Sequence, residues 1–342
     1  MTAKLSVIIP VCNGAKVIRK TAQQILSQDY PNLELILVEN GSSDNTFEIC
    51  KELEQEDDRC KALNSCVKST LVARKTGIDN ASGYYITFCD ADDTYKGFDS
   101  LTNMVCAIEE TGADIVQFGM IVNSFGRKHS ELRVKEKTII DRNQLLQEDI
   151  AGAMGGYAQR INLYTFNKIY NNRILHDISN DLNVPLINAE DLYLNFCAFF
   201  NHFTKRVAFV PLCEYVYNTG IGVSGDGIRS AEKMLREYQF FKTKALELAR
   251  IHRVAEKPIY LCNRETLRFL DCLIQDYILR GDNKKAVCNK ICEWWSYDFI
   301  KAARTYFKEY SSNNELDEEM LYSVTHLFAD VYAPIMSDSV KF

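Results

Sequence analysis

Three carboxylates follow directly on an apolar run at residues 84–93, where the chain reads Tyr-Tyr-Ile-Thr-Phe-Cys-Asp-Ala-Asp-Asp. The apolar part predicts a buried strand. Asp90 and Asp92 are two residues apart, so in an extended chain their side chains leave the same face. Carboxylates this close repel each other unless a cation neutralises them. Mg²⁺ is typically held by one or two carboxylates together with substrate phosphates, and such a site would suit this motif. The alternative is a solvated turn or a helix cap, because Asp is common in both.

The segment around these acids alternates between strand and helix patterns. Apolar runs predict strands over residues 5–10, 33–38, 60–63, 84–89 and 115–122. Helical spacing predicts helices over residues 17–28, 66–81 and 99–110, and a further one capped by Ser43 or Asp44. This alternation predicts a mainly parallel sheet with helices on both faces.

Three of these strands end in residues that could contact a ligand. The ends are Pro10 and Val11, Glu39 and Asn40, and Asp90 and Asp92. In open α/β sheets, ligands bind outside the carboxyl ends of the strands, so we expect the three ends to meet at one crevice. This convergence favours a functional role for the acids over a solvated turn.

The patterns in the second half of the chain are looser. We expect an exposed hairpin over residues 123–141, a strand or helix over 165–175 with Lys168 and Arg173 exposed, and short strands at 207–210 and 214–217. We also expect flexible glycine-rich loops at 151–156 and 218–227, and helices from Arg229 to about Ala333.

A pair of acids, Glu190 and Asp191, opens an apolar helix that Asn188 is predicted to cap. Acidic residues in a first turn also suit the helix dipole, so the pair has a structural explanation as well as a chemical one.

Composition excludes several classes of protein. A net charge of −6, without a basic block, disfavours nucleic-acid binding, which needs a positive field. The sequence contains no run of about 18 apolar residues and no secretory leader, so we expect a cytoplasmic protein. The 12 cysteines include no Cys-x-x-Cys pair, and we expect reduced, mostly buried thiols rather than disulfides or a zinc site.

Several motifs, in the expected order, resemble family 2 of the inverting glycosyltransferases, whose nucleotide-sugar-binding fold is called GT-A. The matching segments are residues 6–13, 27–36, 41–46, 73–83, 90–93, 166–170 and 189–193. The resemblance implies an α/β GT-A domain over residues 1–227 and a helical C-terminal region over 228–342. Within the GT-A domain, it implies a nucleotide-binding half over about 1–122 and an acceptor half over about 123–227.

The resemblance also implies an activity and its residues. The chain would transfer a sugar from a nucleotide-diphosphate donor, UDP-linked, to a glycan or lipid-linked acceptor in cell-surface polysaccharide synthesis. Asp191, with Glu190 beside it, would be catalytic, and Asp90 and Asp92 would hold Mn²⁺ or Mg²⁺. The expected donor-binding residues are Pro10, Val11, Asn13, Glu39, Asn40, Arg74, Asp90, Ala91 and Asp92.

One departure from the family pattern weakens the prediction that the nucleobase of the donor is uracil. Many relatives carry Asp-Asp where this chain has Glu39 and Asn40. An amide oxygen at Asn40 accepts the N3–H of uracil less strongly than a carboxylate does. Arg74 is expected either to bind the diphosphate or to lie on a helix surface.

Two other functions stay open at this point. A nucleotidyltransferase of similar fold would also place a metal on acids at a sheet edge. A non-catalytic scaffold that binds nucleotide-sugars or glycans would keep the fold without the reaction. Near the C-terminus, the basic, aromatic helical pattern at 292–308 would suit peripheral contact with the inner face of a membrane, a core, or a homodimer interface.

Overall fold

The computed structural model describes residues 2–65, 67–124, 126–150, 160–186, 189–219 and 231–254, together with residues 289, 293 and 301. The chain forms two compact units. The first comprises Met1–Asp149 and Gln159–Arg229, and the second comprises Ile150–Ala158 and Ser230–Phe342. The predicted division after residue 227 stays a prediction.

One mixed sheet forms the first unit. Its strands are β1 (Leu5–Val11), β2 (Leu33–Glu39), β3 (Cys60–Asn64), β4 (Tyr85–Phe88), β5 (Thr94–Tyr95), β6 (Ile115–Ser124), β7 (Arg127–Glu131), β8 (Thr138–Asp141), β9 (Lys168–Asn171) and β10 (Arg206–Thr219). They are ordered β3-β2-β1-β4-β9-β6-β10-β5, with β7 on β6 and β8 on β10. The first four in this order are parallel, β9 runs against both of its neighbours, and β10 is parallel to β6. The carboxyl ends of β1, β2, β4, β6 and β10 therefore share one edge.

Helices connect these strands. They are α1 (Ile18–Leu26), α2 (Thr46–Glu56), α3 (Thr70–Asn80), α4 (Ser100–Thr111), α5 (Arg142–Gln144), α6 (Asn172–Ile178) and α7 (Glu190–Phe200). Every residue of β1 and β2 is buried, as expected for strands covered on both faces. The predicted α/β class, with helices flanking a central sheet, is confirmed. The sheet is mixed rather than mainly parallel, because β5, β7, β8 and β9 all pair antiparallel with their neighbours. In the second unit, α8 (Ala231–Ile251) is the long helix among the described residues.

Several predicted boundaries are wrong. The helix expected from residue 66 begins at Thr70, because the Ser69 side chain accepts a hydrogen bond from the N–H of Val72 and caps it there. Neither Ser43 nor Asp44 is the N-cap of α2; Asn45 occupies that position. The two short strands expected at 207–210 and 214–217 form the single strand β10, whose pairing with β6 shifts register between them.

Lys168 was expected to be exposed, and it is fully buried. Its ammonium donates to Asn162 Oδ1 at 2.9 Å, to Asn167 Oδ1 at 3.2 Å and to the Tyr164 carbonyl. These three acceptors replace water around the charge, which a sequence pattern cannot reveal. Arg173 is exposed, as predicted.

The hairpin expected over 123–141 is present only in part: the exposed strand β7 pairs antiparallel with β6, whereas β8 pairs with β10. Of the loop predicted at 218–227, Asn218 and Thr219 belong instead to β10, and the rest lies outside the described residues. The predicted loop at 151–156 and the cap at Asn188 also lie outside them. So does the pattern at 292–308, apart from helical backbone at residues 293 and 301. No helix in the described ranges combines the length and hydropathy needed to cross a membrane.

Helix α3 packs against β1 at very short range through Gly77. A Cβ added to Gly77 would lie 2.4 Å from Ile8 Cγ2. Both backbones are fixed by their own hydrogen bonds, so the helix can approach this closely only where the side chain is absent. The contact fixes how closely α3, which carries Arg74, approaches β1.

We expect Gly77→Ala to lower the free energy of unfolding by about 1–3 kcal/mol, because overpacking outweighs alanine's higher helix propensity. Urea denaturation measures the change. Asn80→Ala, at the exposed end of the same helix, is the control and should change stability by less than about 0.5 kcal/mol. Equal stability of Gly77→Ala and the parent would contradict the close packing.

Candidate active site

The three predicted strand ends lie side by side at one edge of the sheet, in the order β2, β1, β4. Pro10 lies just beyond the point where the pairing of β1 with β4 ends. The Ile8 carbonyl accepts from the N–H of Cys89 on the β4 side, and Pro10, two residues on, faces the same side. Pairing with β4 has ended there, so the N–H that proline lacks is not needed.

The loops that follow β1 and β2 are joined by side chains. Asn13 has a positive φ of 53°, and its Oδ1 accepts from the N–H of Ser43 at 2.8 Å. The N–H groups of Asn13 and Gly14 donate to Ser42 Oγ and Thr46 Oγ1, each at 2.9 Å. These contacts fix the rim of the crevice on this side.

Glu39 and Asn40 are both buried at the end of β2. The Glu39 carboxylate accepts from the N–H of Ser42 and, at 3.1 Å, from Asn64 Nδ2. Asn40 Oδ1 accepts from the N–H of Ser69 at 2.8 Å, which ties the end of β2 to the start of α3. Both side chains thus support the loops, and their expected contact with a base or ribose stays a prediction.

The acids after β4 do not continue the extended strand. The Asp93 N–H donates to the Asp90 carbonyl at 3.2 Å, and the chain turns at Ala91 and Asp92. The expectation that Asp90 and Asp92 share a face because the chain stays extended is therefore wrong. Thr21 Oγ1 on α1 holds the turn by donating to the Ala91 carbonyl at 2.7 Å. The charge of Asp92 is nevertheless close enough to raise the pKa of Asp90.

The buried side chain of Asp93 fixes this turn to β10. It accepts from the Tyr215 hydroxyl and from the Asn218 N–H, both at 2.7 Å. The Tyr215 oxygen also accepts from the Asp90 N–H at 3.0 Å. Burial, with the nearby charge of Asp90, raises the pKa of Asp93 to about 8.

Arg74 was expected either to bind phosphate or to lie on a helix surface, and the structure excludes the surface position. The residue is 2% exposed. Its guanidinium lies 2.8 Å from Asp191 Oδ1, 3.4 Å from Asp90 Oδ1 and 3.6 Å from Glu190 Oε1. Within the described residues, Nε and Nη1 have no acceptor in hydrogen-bonding geometry, so charge attraction rather than aligned bonds dominates the cluster. The expected contact of Arg74 with a diphosphate stays a prediction.

One cation among three carboxylates leaves negative charge in excess. Burial raises the pKa of Asp90 to about 6, although Arg74 opposes the shift. Burial, with the charge of Asp191, raises the pKa of Glu190 to about 7. Near neutral pH the cluster therefore has a strong tendency to bind either protons or a cation.

Asp191 has specific contacts beyond the helix dipole. Thr165 donates to its carboxylate through Oγ1 at 3.0 Å and through the backbone N–H at 3.4 Å. The N-cap of α7 is Ala189, whose side chain accepts no hydrogen bond, and neither acid serves as a side-chain cap. The carboxylate is thus held from two sides, by Arg74 and by Thr165.

The donor set at the acid turn fits a divalent cation shared with a ligand. Asp92 is partly exposed, and in the described part of the chain its carboxylate accepts only from its own N–H. Asp90 lies beside it with an excess of negative charge. No group of three or more His, Cys, Asp or Glu side chains forms a complete cage among the described residues. Two carboxylates open to phosphate oxygens are the arrangement that Mg²⁺ and similar ions accept.

Sequence reasoning missed Thr165, Tyr215 and Asn218. Thr165 directly precedes the predicted Phe166-Asn167-Lys168 block, so its place in a motif was the available signal. Tyr215 and Asn218 reach the acid turn from β10, more than 120 residues away. No local pattern marks such a contact.

We expect the metal-free protein to lose stability as the pH rises from about 5 to 8. A carboxyl with a raised pKa in the folded state favours the protonated form, so its contribution is complete below about pH 4 and is lost through its folded pKa. Each such group contributes at most about 1.4 kcal/mol per pH unit. Asp93→Asn mimics the protonated acid and should flatten the slope. Urea titrations at several pH values measure it.

The control is Asp181→Asn, at an exposed aspartate, which should leave the slope unchanged. An equal slope in Asp93→Asn and the parent would show that Asp93 does not titrate with folding.

Comparison with known proteins finds a family model that matches part of the chain. Residues 6–166 match the family model described as "Glycosyl transferase family 2". Glycosyltransferase GlyA of Streptococcus pneumoniae serotype 4 is 38% identical over 112 residues, which are 33% of this chain and 16% of GlyA. The GalNAc(5)-diNAcBac-PP-undecaprenol beta-1,3-glucosyltransferase of Campylobacter jejuni is 40% identical over 92 residues, 26% of this chain and 30% of that enzyme. The chain thus aligns with a minority of either relative's length.

A longer alignment exists at lower identity. The uncharacterized glycosyltransferase EpsJ of Bacillus subtilis is 24% identical over 312 residues, 89% of this chain and 86% of EpsJ.

Solved structures show the same fold. Staphylococcus aureus TarS 1-349 in complex with UDP-GlcNAc superposes with a TM-score of 0.58 at 18% identity, covering 91% of this chain and 92% of that one. The mannosyltransferase PcManGT from Pyrobaculum calidifontis, in complex with GDP-Man and Mn²⁺, gives 0.50 at 16% identity, covering 93% and 88%. These likenesses confirm the predicted GT-A type of fold. Together with the relatives above, the match over residues 6–166 supports a family 2 glycosyltransferase domain in this part of the chain.

Proposed function

We propose that this chain is a metal-dependent inverting glycosyltransferase. It transfers a sugar from a UDP-linked donor to a glycan or lipid-linked acceptor in cell-surface polysaccharide synthesis. The observation that carries the proposal is the cluster around Arg74, which brings Asp191 close to the acid turn at the carboxyl edge of the sheet. A base and a diphosphate site must be neighbours for a single displacement.

The donor is assigned to the β1 and β2 side of the crevice. Pro10, Val11, Asn13, Glu39 and Asn40 surround the strand ends there and would line the nucleotide site. The bound UDP-GlcNAc of TarS and the bound GDP-Man of PcManGT support a nucleotide-sugar donor. The lipid-linked acceptor is supported by the undecaprenol in the name of the C. jejuni relative.

The acid turn would hold the metal through Asp92 and Asp90, with Ala91 leaving room for the diphosphate. Mn²⁺ or Mg²⁺ bound there would act as a Lewis acid and stabilise the charge on the departing nucleoside diphosphate. Arg74 adds a fixed positive charge behind Asp90 and keeps the carboxylates from repelling each other apart.

Asp191 is the general base of the proposal. It takes the proton from the acceptor hydroxyl as that oxygen bonds to the anomeric carbon and the bond from carbon to the diphosphate oxygen breaks. One displacement inverts the configuration. Asp191 suits this role better than Glu190, because Arg74 and Thr165 hold its carboxylate, whereas the raised pKa of Glu190 leaves much of it protonated near pH 7.

Calorimetry with UDP and an assay of UDP release from UDP-sugars, with alkyl glycosides and polyprenyl-diphosphate sugars as acceptors, test the proposal together. We expect UDP binding to require Mn²⁺ or Mg²⁺ and to weaken at least ~10-fold in Asp92→Asn, which lacks a metal carboxylate. Asp191→Asn should keep UDP binding while transfer falls at least ~100-fold. Asp181→Asn, at an exposed site, is the matched control and should behave as the parent does.

Contrary outcomes point to the other functions. Unchanged transfer in Asp191→Asn removes it as the base, and metal-independent UDP binding contradicts the metal site. Release of pyrophosphate from a nucleoside triphosphate and a sugar phosphate would identify a nucleotidyltransferase. Metal-dependent UDP binding without transfer or hydrolysis would identify a binding scaffold.

Thr165 should affect the chemical step and not donor binding. Thr165→Val keeps the shape and the backbone N–H but removes the hydroxyl that orients Asp191. A hydrogen bond to a charged group is worth about 1.5–3 kcal/mol, so we expect turnover to fall about 10- to 100-fold. Affinity for UDP with Mn²⁺ should stay unchanged, and Thr165→Ser should restore most of the turnover. Parent-like turnover in Thr165→Val would show that Asp191 needs no such support.

A further inference from the structure

Four aromatic rings form a nearly parallel stack beside the acids. Phe166 is stacked with Tyr164, Tyr215 and Tyr217, with ring centroids 5.0, 4.5 and 5.6 Å apart and planes within 16° of each other. Neither the predicted nucleotide site nor the acid turn includes these four residues as ligand contacts. Their arrangement is unlike the edge-to-face packing of Tyr95 on Tyr215 in the core.

Two rings of the stack, Phe166 and Tyr215, are buried, and the other two, Tyr164 and Tyr217, are at least partly accessible. Phe166 and Tyr215 are 3% and 1% exposed, and Tyr215 is fixed by Asp93 and by the Asp90 N–H. Tyr164 is 43% exposed and Tyr217 is partly buried. A large exposed ring backed by a fixed ring is a preformed surface for stacking, because little side-chain freedom is lost when a ligand binds.

The stack reaches from the presumed base to the acid turn. Tyr164 directly precedes Thr165, which donates to Asp191. Tyr217 directly precedes Asn218, whose N–H donates to Asp93 and whose Nδ2 donates to the Asp92 carbonyl at 3.0 Å. The charges of Asp90, Asp92 and Asp93 contribute to a raised pKa of Tyr217, although burial is the main cause. The residues of the stack are thus chain neighbours of Thr165, which holds Asp191, and of Asn218, which holds the acid turn.

We propose that Tyr164 and Tyr217 form the platform on which a sugar ring of the acceptor stacks, an inference that rests on the proposed function. The C–H face of a pyranose is apolar and flat, and it packs on an aromatic face while its hydroxyls stay free for hydrogen bonds. The substrate class is thus an acceptor whose reacting hydroxyl belongs to a sugar.

Strand order separates this platform from the nucleotide. Phe166 precedes β9 and Tyr217 lies near the end of β10, both on the far side of β4 from β1 and β2. The acid turn after β4 lies between the two sides. A general base must come within hydrogen-bonding distance of the acceptor hydroxyl. Tyr164, which directly precedes the Thr165 that holds Asp191, accordingly belongs to the acceptor side.

The test uses the full chain with Mn²⁺ and UDP, and saturation-transfer NMR with the methyl β-glycosides of glucose, galactose and N-acetylglucosamine at millimolar concentration. At least one glycoside should receive saturation on its C–H protons. Tyr164→Ala should weaken that glycoside's affinity by about two- to tenfold, the worth of one stacking contact, and leave UDP affinity unchanged. Tyr164→Phe should keep the affinity, because the ring is retained.

Tyr84→Ala is the matched control, because Tyr84 is 58% exposed and precedes β4 at the opposite edge of the sheet. It should bind glycosides as the parent does. Binding of none of the three glycosides, or equal binding by Tyr164→Ala and the parent, overturns the platform. Loss of UDP affinity in Tyr164→Ala overturns it too, since the ring would then belong to the nucleotide. Failure of the parent to bind UDP with Mn²⁺ contradicts the proposed function itself.

Discussion

The buried guanidinium of Arg74 holds together acids from two other parts of the chain. Asp90 comes from the turn after β4, and Glu190 and Asp191 come from the start of α7. Without a cation between them, these carboxylates would separate or bind protons, because like charges in a poorly solvated site repel strongly. Arg74 thus links the base and the metal site of the proposal, and Thr165 holds Asp191 from its other side.

One positive charge cannot balance three negative ones, and this imbalance adds to burial, which is the main cause of the raised pKa values of Asp90 and Glu190. The divalent ion proposed for Asp90 and Asp92 would remove the excess without protonation. Asp93 is also affected by the charge of Asp90, but its position depends on Tyr215 and Asn218, whose hydrogen bonds fix it in the turn.

The sheet converts a local sequence pattern into this arrangement. Parallel strands place their ends at one edge, and that much followed from the alternation of strands and helices. The close contact of Gly77 with Ile8 then sets α3 at the depth where Arg74 reaches both acid groups. Side-chain bonds between the loops after β1 and β2 fix the other wall. The aromatic stack that includes Tyr164 and Tyr217 lies on the far side of the acid turn from these loops.

The sequence by itself determined the α/β class, the polar strand ends, and Asp90 and Asp92 as candidate residues, because periodicity and motif spacing are local properties of the chain. Asp191 was implied as a candidate by the family resemblance of residues 189–193. Only the tertiary structure decided how those residues are arranged and what surrounds them. It turned the acids at Ala91 instead of extending them, buried Lys168 among three oxygen acceptors, and surrounded Arg74 with carboxylates. It also brought Thr165 and Tyr215 to the site. Each of these outcomes depends on groups distant in sequence that exclude water together, and burial of that kind leaves no mark on a short stretch of residues.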